Sequence, residues 1–130
     1  TAVLRIRAPM NRTKGTLKRL AGPMFVPLFN ADRNIYTPPA NTIYAVIRHI
    51  HVSNVSAGAV TFWLYVGGNA GTVAGTEIVG ERVIDTRDEF DYDCITKLVG
   101  NDSGSAGYLT GWTDTALSLV ITVEGEQFRS

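Results

Sequence analysis

The stretch Tyr36-Thr37-Pro38-Pro39-Ala40-Asn41-Thr42 runs straight into Ile43-Tyr44-Ala45-Val46-Ile47-Arg48-His49-Ile50-His51-Val52-Ser53-Asn54. Pro38 and Pro39 fix φ and lack the amide N–H that a helix would use, so the chain cannot turn helical here. Residues 43–54 are mostly β-branched and aromatic, the composition of a pleated strand. A proline-locked corner thus delivers the chain into a long strand. The same order of turn, apolar strand and Gly/Ser/Asn turn recurs to the end of the sequence.

Downstream, Asn54 to Gly58 reads as a turn and Ala59 to Val66 as a second strand. There Val60, Phe62, Leu64 and Val66 share one face, and Thr61, Trp63 and Tyr65 the other. Both faces carry large apolar groups, so one is expected to be covered from outside the domain; Trp63, Tyr65 and Trp112 are the candidate oligomer-interface residues. Gly67 to Gly71 reads as a hairpin loop. Further strands are expected over Glu77 to Ile84, over Phe90 to Val99, over Tyr108 to Thr113, and over Leu117 to Glu124 with Leu117, Leu119, Ile121 and Val123 inward. Gly100 to Gly107 separates two of them as a long turn. Upstream, Pro27 cannot donate to a ladder and places the run Met24 to Phe29 at a sheet edge. Seven or eight short strands without a helical period indicate an all-β, antiparallel β-sandwich, jelly-roll-like in its wrapping.

Residues 1–22 read differently, as an extended basic N-terminal arm ahead of a β-sandwich domain at 23–130. Lys plus Arg and Asp plus Glu balance at 12 each, so no net field draws the whole molecule to nucleic acid or membrane. The balance hides an asymmetry: Arg5, Arg7, Arg12, Lys14, Lys18 and Arg19 all precede the first acid, Asp32, whereas Glu77 to Asp93 is strongly acidic. Val3, Leu4, Ile6, Leu17 and Leu20 are the arm residues expected to bury against a partner, with Arg5, Arg7, Lys18 and Arg19 as positioning charges. Exposed ion pairs contribute only about 0 to 1 kcal/mol each, so apolar burial should dominate.

The search for chemistry is largely negative. Cys94 is the only cysteine, which excludes an intramolecular disulfide and any multi-cysteine metal cage. His49 and His51 sit two apart on a strand and share a face, enough for two metal ligands but not for a coordination shell. Asp85, Asp88, Glu89, Asp91 and Asp93 could offer oxygens to calcium but lack its Gly-punctuated loop, and read as a solvated acidic edge or a docking patch. No metal, cofactor or catalytic residue is assigned from these patterns. A nucleophile elbow, a phosphate-binding loop and a dinucleotide fingerprint are absent, so an enzyme is not expected. Three matches to the glycosylation pattern, at Asn11, Asn54 and Asn101, carry little meaning without a secretory leader. The start at Thr1 lacks a signal-peptide core and no run of 18 apolar residues occurs, so cytoplasmic synthesis is the expectation.

The run Ile35 to Thr42, the strand ending Ile50-His51-Val52-Ser53-Asn54, the Ser/Ala/Gly turn, the strand ending near Gly67-Gly68 and the final Gly125-Glu126 together resemble small virion proteins of tailed bacteriophages. The basic arm and the Asp85 to Asp93 segment are not part of that pattern. The resemblance implies a β-sandwich structural module that assembles on a capsid or tail, commonly as an oligomer. The expected role is a decoration (cement) or minor capsid protein located in the virion, with the major capsid protein or other virion subunits as partners and a homo-oligomer, threefold first, as its state. Nucleic acid and membrane are not expected partners. A tail, neck or fibre-base position is the alternative, and a carbohydrate-binding module using Trp63, Trp112 and Tyr108 a more distant one.

Overall fold

The computed structural model describes residues 16–28, 33–68, 76–100 and 107–129, and among them are eight strands and no helix. They are β1 (Thr16–Phe25), β2 (Asn34–Tyr36), β3 (Thr42–Asn54), β4 (Val60–Gly67), β5 (Glu77–Ile84), β6 (Glu89–Val99), β7 (Tyr108–Thr113) and β8 (Leu119–Arg129). Two four-stranded antiparallel sheets result, in the orders β1-β8-β3-β6 and β2-β7-β4-β5. Every connection except β4–β5 crosses from one sheet to the other, the jelly-roll-like wrapping of a double-sheet domain.

The corner forms as its residues dictate. Pro38 is buried, and the Pro39 carbonyl accepts from both the Thr42 amide at 3.3 Å and the Thr42 hydroxyl at 2.7 Å. Asn41 takes a φ of 66° inside that turn, a conformation asparagine tolerates better than most residues. The long strand it launches, β3, lies between β8 and β6. Ile47, Ile50, Val52, Ile121, Val123 and Leu119 of the first sheet meet Phe62, Leu64, Leu109 and Ile35 of the second in one core. Each such side chain contributes about 1.5–3 kcal/mol by leaving water, so this layer is what holds the sheets together.

Asn54 closes the end of β3 from inside. It is 1% exposed, and its side-chain amide donates to the carbonyls of Gly58, Ile84 and Asp85 while its Oδ1 accepts from the Ser56 amide and hydroxyl. A side chain so fully used is unavailable to a glycan, whatever its sequence context.

Three expectations need correction. The arm of residues 1–22 does not extend to Gly22: residues 16–25 form β1, an edge strand registered on β8. The first residues, Val3, Leu4, Arg5, Ile6 and Arg7, lie outside the described residues. The strand escapes pattern recognition because register shifts at Leu20 and again between Ala21 and Met24 break the period of two. Next, Leu117 is not inward; it sits in the β7–β8 turn with a φ of 53° and 70% of its surface exposed, and β8 begins at Leu119 and runs to Arg129. Finally, the edge run around Pro27 ends with β1 at Phe25; Pro27 then offers its carbonyl to the Thr113 amide as the chain crosses to the second sheet.

Irregularities in the first sheet fall in line. At the level of Glu124 and Gly125, β1 carries Leu20 and β3 carries Arg48 as extra residues against β8, and β6 carries an extra residue at Cys94–Ile95 against β3. Bulges strengthen local twist and re-aim side chains. Here Arg48 and His49 both face outward between inward Ile47 and Ile50. Gly125 sits in the same line, where a Cβ would collide with the Val46 carbonyl, so β8 and β3 approach closely only because that residue is glycine.

Candidate functional site

The two outer faces of the sandwich differ in chemistry. On the first sheet, the register of β3 against β6 sets His49 opposite Asp93, His51 opposite Asp91 and Ser53 opposite Glu89. The side chains then interleave as one row, Asp93–His49–Asp91–His51–Glu89. His49 Nδ1 lies 2.6 Å from Asp93 Oδ1 and His49 Nε2 lies 3.0 Å from Asp91 Oδ1. His51 Nδ1 lies 2.7 Å from that same Asp91 oxygen, and His51 Nε2 is 3.3 Å from Glu89 Oε1.

Each imidazole therefore stands between two carboxylates, and one carboxylate oxygen stands between two imidazoles. The hydrogen bond that the His49 ring donates to Asp93, opposed by desolvation and reinforced by the bond to Asp91, raises the His49 pKa above its ordinary 6.5. Conversely, the bond to His51, together with that to His49, holds Asp91 below its ordinary 3.8. Three of these residues, His49, His51 and Asp91, present donor atoms that all lie within 4.8 Å of one another. Beside them opens a shallow concavity lined by Arg48, His49, Asp93, Ile95 and Glu124. Arg48 crosses it to Glu126 at 2.7 Å.

The second sheet's outer face is aromatic. Trp63 on β4 registers on Trp112 of β7, and their rings stack at 3.7 Å between centroids with 15° between planes. Tyr65, next outward on β4, is 6% exposed. The three candidate interface residues thus lie near one another on β4 and β7, Tyr65 buried and the two tryptophans half-buried. The larger solvent-facing apolar groups lie elsewhere. On β6, the edge of the first sheet, Ile95 is 79% exposed and Val99 46%. Val83 on β5, the corresponding edge of the second sheet, is 55% exposed.

Of the arm residues, Lys18 and Arg19 are exposed on β1, Leu20 is half-buried and packs against the core, and Leu17 belongs to β1. His49 and His51 lie some forty residues from the acidic run in sequence, and only the β3–β6 pairing brings the two sets into one array. Cys94 is half-buried, its Sγ 3.5 Å from the Ile47 carbonyl oxygen. No helix of the described residues is long and apolar enough to cross a membrane.

No protein-family model matches the chain, and no curated protein sequence matches it. Among solved structures, a chain from the infectious bursal disease virus Gx strain is similar over 87% of this chain and 32% of its own length, at 9% identity and a TM-score of 0.46. The tobacco streak virus coat protein is similar over 88% of this chain and 86% of its own, at 10% identity and a TM-score of 0.44. A chain of the T13 infectious bursal disease virus particle covers 91% of this chain and 30% of itself, at 11% identity and a TM-score of 0.40. The chain spans about a third of the length of the bursal disease virus chains it matches. Likeness at this level carries nothing about what the chain does.

Proposed function

We propose that this chain is a virion structural protein of a tailed phage that binds the assembled shell as a decoration (cement) or minor capsid subunit. The reading rests on the sequence resemblance and is supported by one structural observation: strand β6, an edge strand with one ladder side that no described strand pairs with, turns Ile95 and Val99 to solvent. An exposed edge carrying large apolar groups is a liability for a free monomer and an asset for a subunit that is covered on assembly. Subunits of the shell, or further copies of this chain in a closed ring with threefold symmetry, are the partners that would cover it. The segment before β1, with Val3, Leu4, Arg5, Ile6 and Arg7, would then reach across a neighbour, Lys18 and Arg19 orienting its departure. Its role is assembly and not catalysis.

The test is co-sedimentation of the full chain with shells assembled from the major capsid protein of the same virus. The intact protein should pellet with shells and not with free coat subunits, Ile95→Asp should remain in the supernatant while keeping its circular dichroism, and deletion of residues 1–15 should weaken retention. Failure of the intact chain to pellet, or retention of Ile95→Asp at the wild-type level, would overturn the reading.

A further inference from the structure

We propose that His49, His51 and Asp91 form a binding site for a zinc-class divalent cation on the outer face of the first sheet. A zinc ion takes nitrogen and carboxylate oxygen ligands at about 2.0–2.2 Å, which places ligand atoms roughly 3.3 Å apart. The pairs His49 Nε2–Asp91 Oδ1 and His51 Nδ1–Asp91 Oδ1 stand at 3.0 and 2.7 Å, and all three donor atoms lie within 4.8 Å of each other. Small side-chain rotations on a fixed strand pair suffice to close the set.

A second, independent feature is the outer shell. Metal-bound imidazoles nearly always donate their remaining N–H to a carboxylate, carbonyl or water, which fixes tautomer and ring orientation. His49 already has Nδ1 on Asp93 at 2.6 Å, and His51 already has Nε2 directed at Glu89 at 3.3 Å. Both rings are therefore oriented with one nitrogen toward the shared Asp91 oxygen and the other toward an orienting carboxylate.

Imidazole ligands favour zinc, nickel, copper and cobalt over magnesium and calcium, and calcium would need six to eight oxygens. The side chains are partly open, His49 30%, His51 35% and Asp91 55% exposed, so an ion can enter and a fourth position remains for water or a group from another molecule. On binding, His49 Nε2 and His51 Nδ1 coordinate as unprotonated nitrogens, and any proton they carried passes to buffer.

The experiment is calorimetric titration of the chelator-stripped full chain with zinc chloride alone, and separately with calcium chloride. Expected are one zinc site, no calcium binding at that site, and a visible spectrum of imidazole-ligated cobalt when Co²⁺ is used instead. His49→Gln and His51→Gln should each abolish the site, and Asp93→Asn should weaken it by about 10- to 100-fold without abolishing it. Circular dichroism confirms that each variant folds. The proposal fails if the wild-type chain takes up no zinc, if zinc binds the His49→Gln, His51→Gln double variant with undiminished affinity, or if Asp93→Asn leaves affinity unchanged. Shell binding is a separate measurement, so failure here leaves the assembly reading standing and the reverse holds too.

Discussion

The outer faces of the two sheets are built on the same scaffold and do opposite things with it. On the second sheet the register places Trp63 on Trp112 and Tyr65 is buried, a face dominated by aromatic rings. On the first sheet a line of bulges turns Arg48 and His49 outward together and sets two imidazoles among three carboxylates. One face is held by dispersion and aromatic stacking. The other is a largely exposed titratable row of little stabilising value. The β4–β7 ladder that stacks the tryptophans runs without a register shift, whereas the β3–β6 ladder that carries the histidines is interrupted between Ile47 and His49.

The contrast breaks first in stability. Trp63→Ala removes half of the stacked pair and should cost about 2–3 kcal/mol in denaturant unfolding, somewhat below the range for fully buried tryptophan. A double-mutant cycle with Trp112→Ala should return a coupling of about 1 kcal/mol. Gly125→Ala forces a methyl group against the Val46 carbonyl at the bulge line and should cost about 1–3 kcal/mol. Unlike Trp63→Ala, it should also disturb the spacing of the histidine row and weaken zinc uptake.

On the titratable face, His51→Ala should change unfolding free energy by less than about 1 kcal/mol, as expected for exposed ion pairs. Equal losses from His51→Ala and Trp63→Ala would erase the distinction between the faces. The smallest effect is the pH profile, read as the stability of wild type minus His49→Gln. Because the folded pKa of His49 is raised, its contribution is fully present below 6.5, its ordinary value, and is lost as pH rises through the folded value. Asp91 works in the other direction. Its lowered pKa contributes stability above 3.8, lost as pH falls through the folded value. The difference should therefore be greatest in the mildly acidic interval between these two limits, while the Trp63→Ala deficit stays flat across the same range.

Much of the sandwich is legible in the residues. The corner at Pro38–Thr42 and strands β3, β4, β5, β6 and β7 follow from proline placement and from apolar, largely β-branched and aromatic runs between turn residues, and Val60, Phe62 and Leu64 face inward as their period requires. Strand β1 is not legible because its two register shifts remove the alternation by which a strand is recognised. The brief β2 is hidden in the approach to the corner, where Ile35 and Tyr36 are too few to show a period. Leu117 misleads because the alternation of β8 extends by chance into the turn before it.

The histidine–carboxylate row is a different kind of omission. His49 and His51 share a face by spacing, and so do Glu89, Asp91 and Asp93. That the two sets lie opposite each other depends on β3 pairing with β6 in one register, across some forty residues of intervening chain. Only long-range pairing supplies that.

The most direct test of the assembly role is the copy number of this chain in purified particles, counted by quantitative mass spectrometry against the major coat protein. On the order of hundreds of copies per particle is the expected result for a subunit repeated over a symmetric shell. Absence from particles, or a count of about three to twelve as in a single symmetric ring, would contradict it.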